Sequence, residues 1–252
     1  MKISLIIPCY NEQSNIQKGV LDKIGNFTEN DSRFTEVIIV DDGSTDTSKQ
    51  VIRSKYLKTY PKFKLVENSH QGKAFAIITG VEKSKGDYVL FSDIDLATPI
   101  EESERLIESA KKGYEIAIGS RSKTREGAPI LRKVLAYLSI IFRSFIIGIK
   151  GIKDTQCGFK LFKKSVADKV ISSLLVFHER RKVEGSSVSA GFDMEFLFLA
   201  SKMGYKIKEI PVQWRHVETK NVNFIKDAVE TMVDLLTIKY YFLTGRYEIN
   251  KK

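Results

Sequence analysis

The chain has 252 residues, 42% hydrophobic and 29% charged, which is enough apolar material to bury the core of one α/β domain without a second. Forty-one Lys and Arg against 31 Asp and Glu give a formal charge of +10, which favours partners carrying phosphate or anionic head groups, nucleic acid and membrane surface among them. Cys9 and Cys157 have no metal-ligand spacing and read as reduced thiols of a cytosolic protein.

Only the five residues Ile3 to Ile7 precede Pro8 after Met1-Lys2, too short an apolar run for a signal peptide, so the start reads as a first strand. Further strands are expected near Val37 to Val40, Phe63 to Val66, Tyr88 to Phe91 and Ile116 to Ile118. Helical patterns lie between them, near Gln13 to Lys23, Asp46 to Lys58, Lys73 to Ser84 and Pro99 to Lys112. That alternation predicts a mainly parallel, doubly wound sheet. The last of these helices has a marked start: Thr98 as N-cap, Pro99 at the first helical position and Glu101 completing a capping box. The second half is less regular. It has an apolar stretch from Val134 to Ile149, the turn Asp154-Thr-Gln-Cys-Gly-Phe159 and a polar stretch His178 to Ala190. A helix near Phe192 to Met203, a strand near Ile207 to Val212 and a helix near Phe224 to Phe242 close the chain.

In an open α/β sheet, ligands bind at the carboxyl ends of the strands, and three polar segments fall there: Pro8 to Glu12, Asp41 to Asp46 and Ser92 to Ala97. Asp93 and Asp95 flank one residue, so on a loop leaving a strand both carboxylates can turn toward one divalent ion shared with a diphosphate. The bland alternative is that Asp95 only decorates the loop, since D-x-D arises by chance. Val40-Asp-Asp-Gly-Ser-Thr-Asp46 reads in two ways, as an acidic group for a base N–H or ribose hydroxyl, or as turn and cap chemistry alone. The first strand runs into Pro8-Cys-Tyr-Asn-Glu12 and not into G-x-G-x-x-G, which argues against a nicotinamide dehydrogenase.

Taken in order, Ile7-Pro-Cys-Tyr-Asn-Glu12, Val40-Asp-Asp-Gly-Ser44, Gly72-Lys73, Asp93-Ile-Asp95, Gly119-Ser-Arg121, Asp154-Thr-Gln-Cys-Gly-Phe-Lys-Leu-Phe162 and Phe192-Asp193 resemble glycosyltransferase family 2 over nearly the whole chain. Within that family the pattern resembles the polyprenyl-phosphate (dolichyl-phosphate) sugar transferases, and the Asp154 to Phe162 run and Ala97-Thr98 resemble the glucosyl-transferring ones. Mannosyl-transferring relatives often carry Gln where Ala97 stands.

The resemblance implies a GT-A fold, an α/β domain with a mainly parallel sheet, flanking helices and amphipathic helices at a membrane interface. It implies a nucleotide-sugar pocket from Pro8, Tyr10, Glu12, Asp41, Asp42, Lys73, Asp93 and Ile94, and Mg2+ or Mn2+ on Asp93 and Asp95. Arg121, helped by Arg132, is implied to face an acceptor phosphate. Asp154 and Asp193 match motif positions, and Asp154 either takes part in catalysis or braces the Gly158 turn. The expected reaction is inverting transfer of a hexose, glucose from UDP-glucose, onto polyprenyl phosphate, by a metal-dependent enzyme lying on the cytoplasmic face of a membrane. A lipid phosphate is largely dianionic at neutral pH, so its attack on the anomeric carbon needs no strong general base.

The expected layout is a catalytic domain over 1–221 followed by a C-terminal amphipathic helix and tail over 222–252. Val134 to Ile149 is interrupted by Arg143 and too short to span a membrane. It reads as an interfacial helix near 131–150 or as a buried core helix. The stretch near 178–190 is either a mobile loop over the acceptor or a solvated charge run, and packing accounts for the terminal helix, with lipid contact by Tyr240-Tyr241-Phe242 the lesser alternative. The competing functions are mannosyl transfer from GDP-mannose, transfer to a soluble hydroxyl with Asp193 or Glu195 as base, and a non-catalytic nucleotide-sugar sensor. Nucleic-acid binding is disfavoured because the basic residues are dispersed and the polar motifs acidic.

Overall fold

The computed structural model describes residues 1–121, 148, 151–179, 190–215 and 224–249. The expected interfacial helix near 131–150, Arg132 and the heart of the stretch near 178–190 lie outside the described residues. Seven strands form one sheet: β1 (Ile3–Cys9), β2 (Phe34–Asp41), β3 (Phe63–Glu67), β4 (Tyr88–Ser92), β5 (Ile116–Arg121), β6 (Phe159–Lys163) and β7 (Ile207–Val212), in the spatial order β3-β2-β1-β4-β6-β5-β7. Parallel pairs join β1 to β2 and β4, β2 to β3, and β5 to β7, while β6 runs antiparallel between β4 and β5. The sheet is therefore mainly parallel, as the sequence rhythm predicts, with one reversed strand that the rhythm does not announce.

Every residue of β1 is buried, as a central strand covered on both faces requires. Its side chains alternate between two cores. Ile6 packs with Val40, Phe91, Ile118 and Phe162, and Leu5 and Ile7 pack with Ile39, Leu90, Phe159 and Leu161 on the other face. The first core is covered by α5 (Lys73–Lys83), α7 (Lys164–Ile171), α8 (Val176–Glu179) and α9 (Ala190–Lys202). The second is covered by α1 (Gln13–Gln17), α2 (Val20–Glu29) and α6 (Ser103–Lys111), with a π-helical turn at Ile52–Tyr56 between α3 (Ser48–Val51) and α4 (Leu57–Thr59).

Three expectations need correction. The single helix expected over Gln13 to Lys23 is two, because Gly19 takes a left-handed φ of 76° that ends one helix and caps the next. The capping box at Thr98 does not form. Pro99 stays extended at ψ 140°, a 3₁₀ turn occupies Ile100–Glu102, and α6 begins at Ser103 with no side-chain cap. The loop ahead of it is tethered elsewhere, since the Arg215 N–H donates to the Ala97 carbonyl at 2.8 Å. Finally, packing does not account for all of the terminal helix, α10 (Phe224–Leu243). Leu235 and Ile238 enter the first core, and Tyr247 beyond the helix joins them, but Val229, Leu236, Tyr240 and Leu243 are exposed at 53–71%.

Candidate active site

The carboxyl ends of β1, β2, β4, β5 and β7 bring the polar segments to one edge of the sheet. Because β6 runs backwards, it adds the Asp154–Gly158 turn to the same edge, where Ser92 pairs with Phe159 and the Asp93 N–H donates to the Gly158 carbonyl at 3.2 Å. Gly158 has no side chain for a specific reason: a Cβ there would lie 2.1 Å from Asp93 Oδ2. Two motifs separated by about sixty residues of sequence thus become one wall, with Gly158 making room for the Asp93 carboxylate.

Asp93 and Asp95 leave β4 through a tight turn in which Leu96 takes a left-handed φ of 50°. The Leu96 N–H bonds to the Asp93 carbonyl, and the Ala97 N–H donates to Asp95 Oδ1 at 2.9 Å. Burial, and after it the negative Asp93, pushes the Asp95 carboxyl above its ordinary value, against the pull of the Ala97 N–H and Lys73. Lys73, the first residue of α5, forms an ion pair with Asp93. Burial alone would lower the pKa of its ammonium, but Asp93 first, then Asp193 and Asp95, outweigh burial and raise it above its ordinary value. Two carboxylates one residue apart, the charge of Asp95 disfavoured by the negative Asp93, fit a divalent cation. Among the described residues no third His, Cys, Asp or Glu completes an all-protein cage. Two carboxylates on one loop fit an ion such as magnesium, whose other ligands can come from phosphate and water.

On the β1–β2 side, Cys9 is in register with Asp41, and the Cys9 carbonyl accepts the Asp42 N–H at 2.8 Å. Asp42 is a loop clamp. Its carboxylate accepts the N–H groups of Gln71 at 3.0 Å and Gly72 at 2.7 Å, and lies 2.8 Å from His70 Nδ1. Asp41 accepts the Ser44 N–H through Oδ2, whereas its buried Oδ1 has no hydrogen-bond partner among the described residues. Tyr10 stacks on His70 at 4.0 Å with ring planes 15° apart. Asn11, left-handed at φ 53°, accepts the Thr45 N–H at 2.8 Å, and the Glu12 N–H donates to Ser48 Oγ. Pro8, Tyr10, Glu12, Asp41 and Asp42 are accordingly gathered by one set of loops, whose far side ends at Lys73 and Asp93. Ile94 is buried in the second core, so its backbone is what this edge can use.

Residues 4–171 match the profile of Glycosyl transferase family 2. The chain belongs to this family. Among curated relatives, dolichyl-phosphate beta-glucosyltransferase of Saccharomyces cerevisiae is 31% identical over 270 residues, covering 99% of this transferase and 78% of the relative. The Homo sapiens protein of that name is 32% identical over 269 residues, with 99% and 78% covered. Glucosyl-3-phosphoglycerate synthase from Mycobacterium tuberculosis, in complex with Mn2+, UDP-glucose and phosphoglyceric acid, superposes with a TM-score of 0.65 at 17% identity, over 95% of the transferase and 80% of that chain. Mannosyl-3-phosphoglycerate synthase from Rubrobacter xylanophilus gives 0.64 at 12% identity, over 100% and 77%. These two likenesses establish the fold, the GT-A arrangement anticipated from the motifs.

The rest of the transferase's charged edge is closed by two ion pairs, one partly and one mostly buried. Asp154 accepts Arg121 Nε at 2.7 Å, Arg121 Nη2 at 2.8 Å and the Arg121 backbone N–H at 3.1 Å. Burial resists ionisation of Asp154, yet the Arg121 hydrogen bonds and charge outweigh it and hold the carboxyl below its ordinary value. The fork uses two of the five guanidinium donors and leaves others to face a ligand. Asp154 thus positions Arg121 as well as bracing the turn, where the Gln156 N–H donates to Oδ1 at 3.2 Å. Asp193 on α9 accepts Lys160 Nζ at 2.7 Å, and Lys160 is only 1% exposed.

The base candidate Glu195 is ruled out by its surroundings. It is fully buried and accepts the N–H groups of Leu175, Val176 and Phe177 and the Tyr247 hydroxyl, at 2.7–2.8 Å. It fastens the chain beyond α10 to the start of α8. Sequence reasoning missed Lys160 and His70. The motif run containing Lys160 was visible, but a lysine on a strand reads as surface, and only the reversal of β6 turns it inward to Asp193. His70 follows a strand with no ligand spacing and no signal beyond its nearness to Gly72-Lys73.

Proposed function

We propose that this transferase moves glucose from UDP-glucose onto polyprenyl (dolichyl) phosphate, inverting the anomeric centre. The observation that carries this reading is the state of the site's carboxylates. Among the described residues, Asp154 is committed to Arg121, and the two carboxylates considered as bases are engaged, Asp193 with Lys160 and Glu195 with four donors. Such a site suits an acceptor that arrives ionised. A phosphate monoester, with a second pKa of about 6, does so, whereas a sugar hydroxyl does not. Dolichyl-phosphate glucosyltransferases matching 99% of the chain support the choice of lipid and sugar.

In this mechanism Asp41 Oδ1 accepts an N–H of the base, and Lys73 neutralises the donor diphosphate. Asp93 and Asp95 would hold Mg2+ or Mn2+, which stabilises the charge of the departing diphosphate. Arg121, held by Asp154, presents its remaining donors to the acceptor phosphate, joined by Arg132. The acceptor oxygen attacks the anomeric carbon from the face opposite the leaving group.

The enzyme works against a membrane surface, attracted by its +10 charge and by the exposed face of α10, and no described helix is long and apolar enough to cross. The buried free thiols Cys9 and Cys157 suit the reducing, cytoplasmic side. Purified enzyme incubated with UDP-glucose or GDP-mannose, polyprenyl phosphate and Mn2+ yields glucosyl-phosphoryl-polyprenol by mass from UDP-glucose. A product only from GDP-mannose, or equal transfer to a soluble alcohol, would overturn the reading.

A further inference from the structure

We propose that Trp214 forms the apolar wall of the acceptor site and packs against the first isoprene unit next to the phosphate, an inference that rests on a polyprenyl-phosphate acceptor. The residue stands just past the carboxyl end of β7, whose Val212 is in register with Arg121 at the end of β5. Its indole lies over the Arg121 guanidinium, 5.9 Å from ring to Cζ, near the outer limit of a cation–π contact. The next residue ties the segment to the other half of the site: the Arg215 N–H donates to the carbonyl of Ala97, two residues beyond Asp95. Trp214 is therefore held between the group assigned to the acceptor phosphate and the loop assigned to the metal and donor.

Its exposure gives the placement meaning. A scattered surface hydrophobe is ordinary and needs no explanation. Trp214, the only tryptophan of the chain, is 37% exposed on the edge that carries the charged groups Arg121, Asp154, Asp95 and Lys73. An inorganic phosphate or a phosphorylated sugar has nothing apolar to offer that ring. An allylic or saturated isoprene joined to a phosphate does, because its first methylene is bonded to the ester oxygen of the phosphate that meets Arg121. The indole then covers that carbon chain on one face, while its contact with Arg121 keeps the guanidinium plane turned toward the phosphate. Trp214 is in this account a specificity-determining residue: it distinguishes a prenyl phosphate from other phosphates of equal charge.

Because Trp214 is the sole indole, the native protein reports on it directly through intrinsic fluorescence. Full-length enzyme with Mn2+ and UDP is titrated with citronellyl phosphate, a one-chain short prenyl phosphate, and separately with inorganic phosphate and with glycerol phosphate. Citronellyl phosphate is expected to shift the emission to the blue, and the other two to leave its position unchanged. Trp214→Leu keeps an apolar wall and Trp214→Ala removes it. The alanine variant is expected to show a rise of about tenfold in KM for citronellyl phosphate with the KM for UDP-glucose unchanged, and the leucine variant a smaller rise. Equal fluorescence responses to all three phosphates, or a Trp214→Ala variant with native KM for the prenyl acceptor, would overturn the inference while transfer itself persists. Absence of any transfer to a prenyl phosphate by the native enzyme would instead overturn the reading of the acceptor on which it rests.

Discussion

Replacing Gly158 with alanine isolates the contact that joins the two acidic halves of the site. The added Cβ would lie 2.1 Å from Asp93 Oδ2, 2.5 Å from Cγ and 2.6 Å from Oδ1, where real Cβ contacts essentially never fall below 3.0 Å. The backbone of Gly158 and Asp93 is tied by a hydrogen bond within the β4–β6 pairing, so the carboxylate must give way, by about 1 Å or by a change of rotamer. Either move takes Asp93 away from Lys73 and from the position it shares with Asp95. A displacement of that size at a reacting centre costs on the order of 10²-fold in turnover, about 2.7 kcal/mol of barrier.

Stability should change little, because Gly158 is not in the left-handed region and alanine brings no backbone penalty there. The assay is steady-state transfer from UDP-glucose over a Mn2+ titration, with a thermal melt of the same sample. The expected result is a loss near 10²-fold with a raised half-saturating metal concentration and a melting point within a few degrees of native. Activity within twofold of native at an unchanged metal requirement would show that Asp93 does not need this position.

The buried pair of Lys160 and Asp193 predicts that Lys160→Met lowers unfolding free energy by about 3 kcal/mol, because it strands a mostly buried carboxylate. Urea unfolding of that variant and of the double variant Lys160→Met/Asp193→Leu should show part of the loss recovered in the double, and no recovery would count against coupling of the two. Asp154 has a folded pKa held below its unfolded value by Arg121, so its contribution to stability is present above about pH 4 and is lost as pH falls through the lower folded value. Asp154→Asn should therefore be less stable at neutral pH and have a flatter stability profile below about pH 4, measured by denaturant midpoints, and parallel profiles would refute the pairing. On α10, Leu236→Glu and Leu243→Glu place charge on residues 53% and 71% exposed, and sedimentation with vesicles rich in phosphatidylserine should fall several-fold at unchanged melting temperature. Undiminished binding would remove this helix from the membrane contact.

What was legible in the sequence is what local chemistry dictates. The alternation of β-branched runs and helical patterns placed β1 to β5 and β7 within a few residues, and short polar motifs at their carboxyl ends marked one edge as the site. Cap and turn chemistry was less secure. Thr98-Pro99-Ile100-Glu101 has every residue of a capping box, yet Ala97 is held by Arg215 from across the sheet, and that long-range bond prevails over the local preference.

The sequence by itself determined the fold class, the family and the acidic pair, because period, turn residues and ordered motifs depend on neighbours along the chain. Only the tertiary structure decided the division of labour among the charges. The reversal of β6 between β4 and β5 sets Gly158 against Asp93, turns Lys160 onto Asp193, and closes Asp154 on Arg121. The packing of the terminal segment likewise turned Glu195 from a possible base into a buried fastening for Tyr247. Whether a carboxylate carries a proton, a metal or a structural bond depends on which charge lies within a few ångströms, and in this molecule the charged partners of Asp154 and Asp193 are each 33 residues away along the chain.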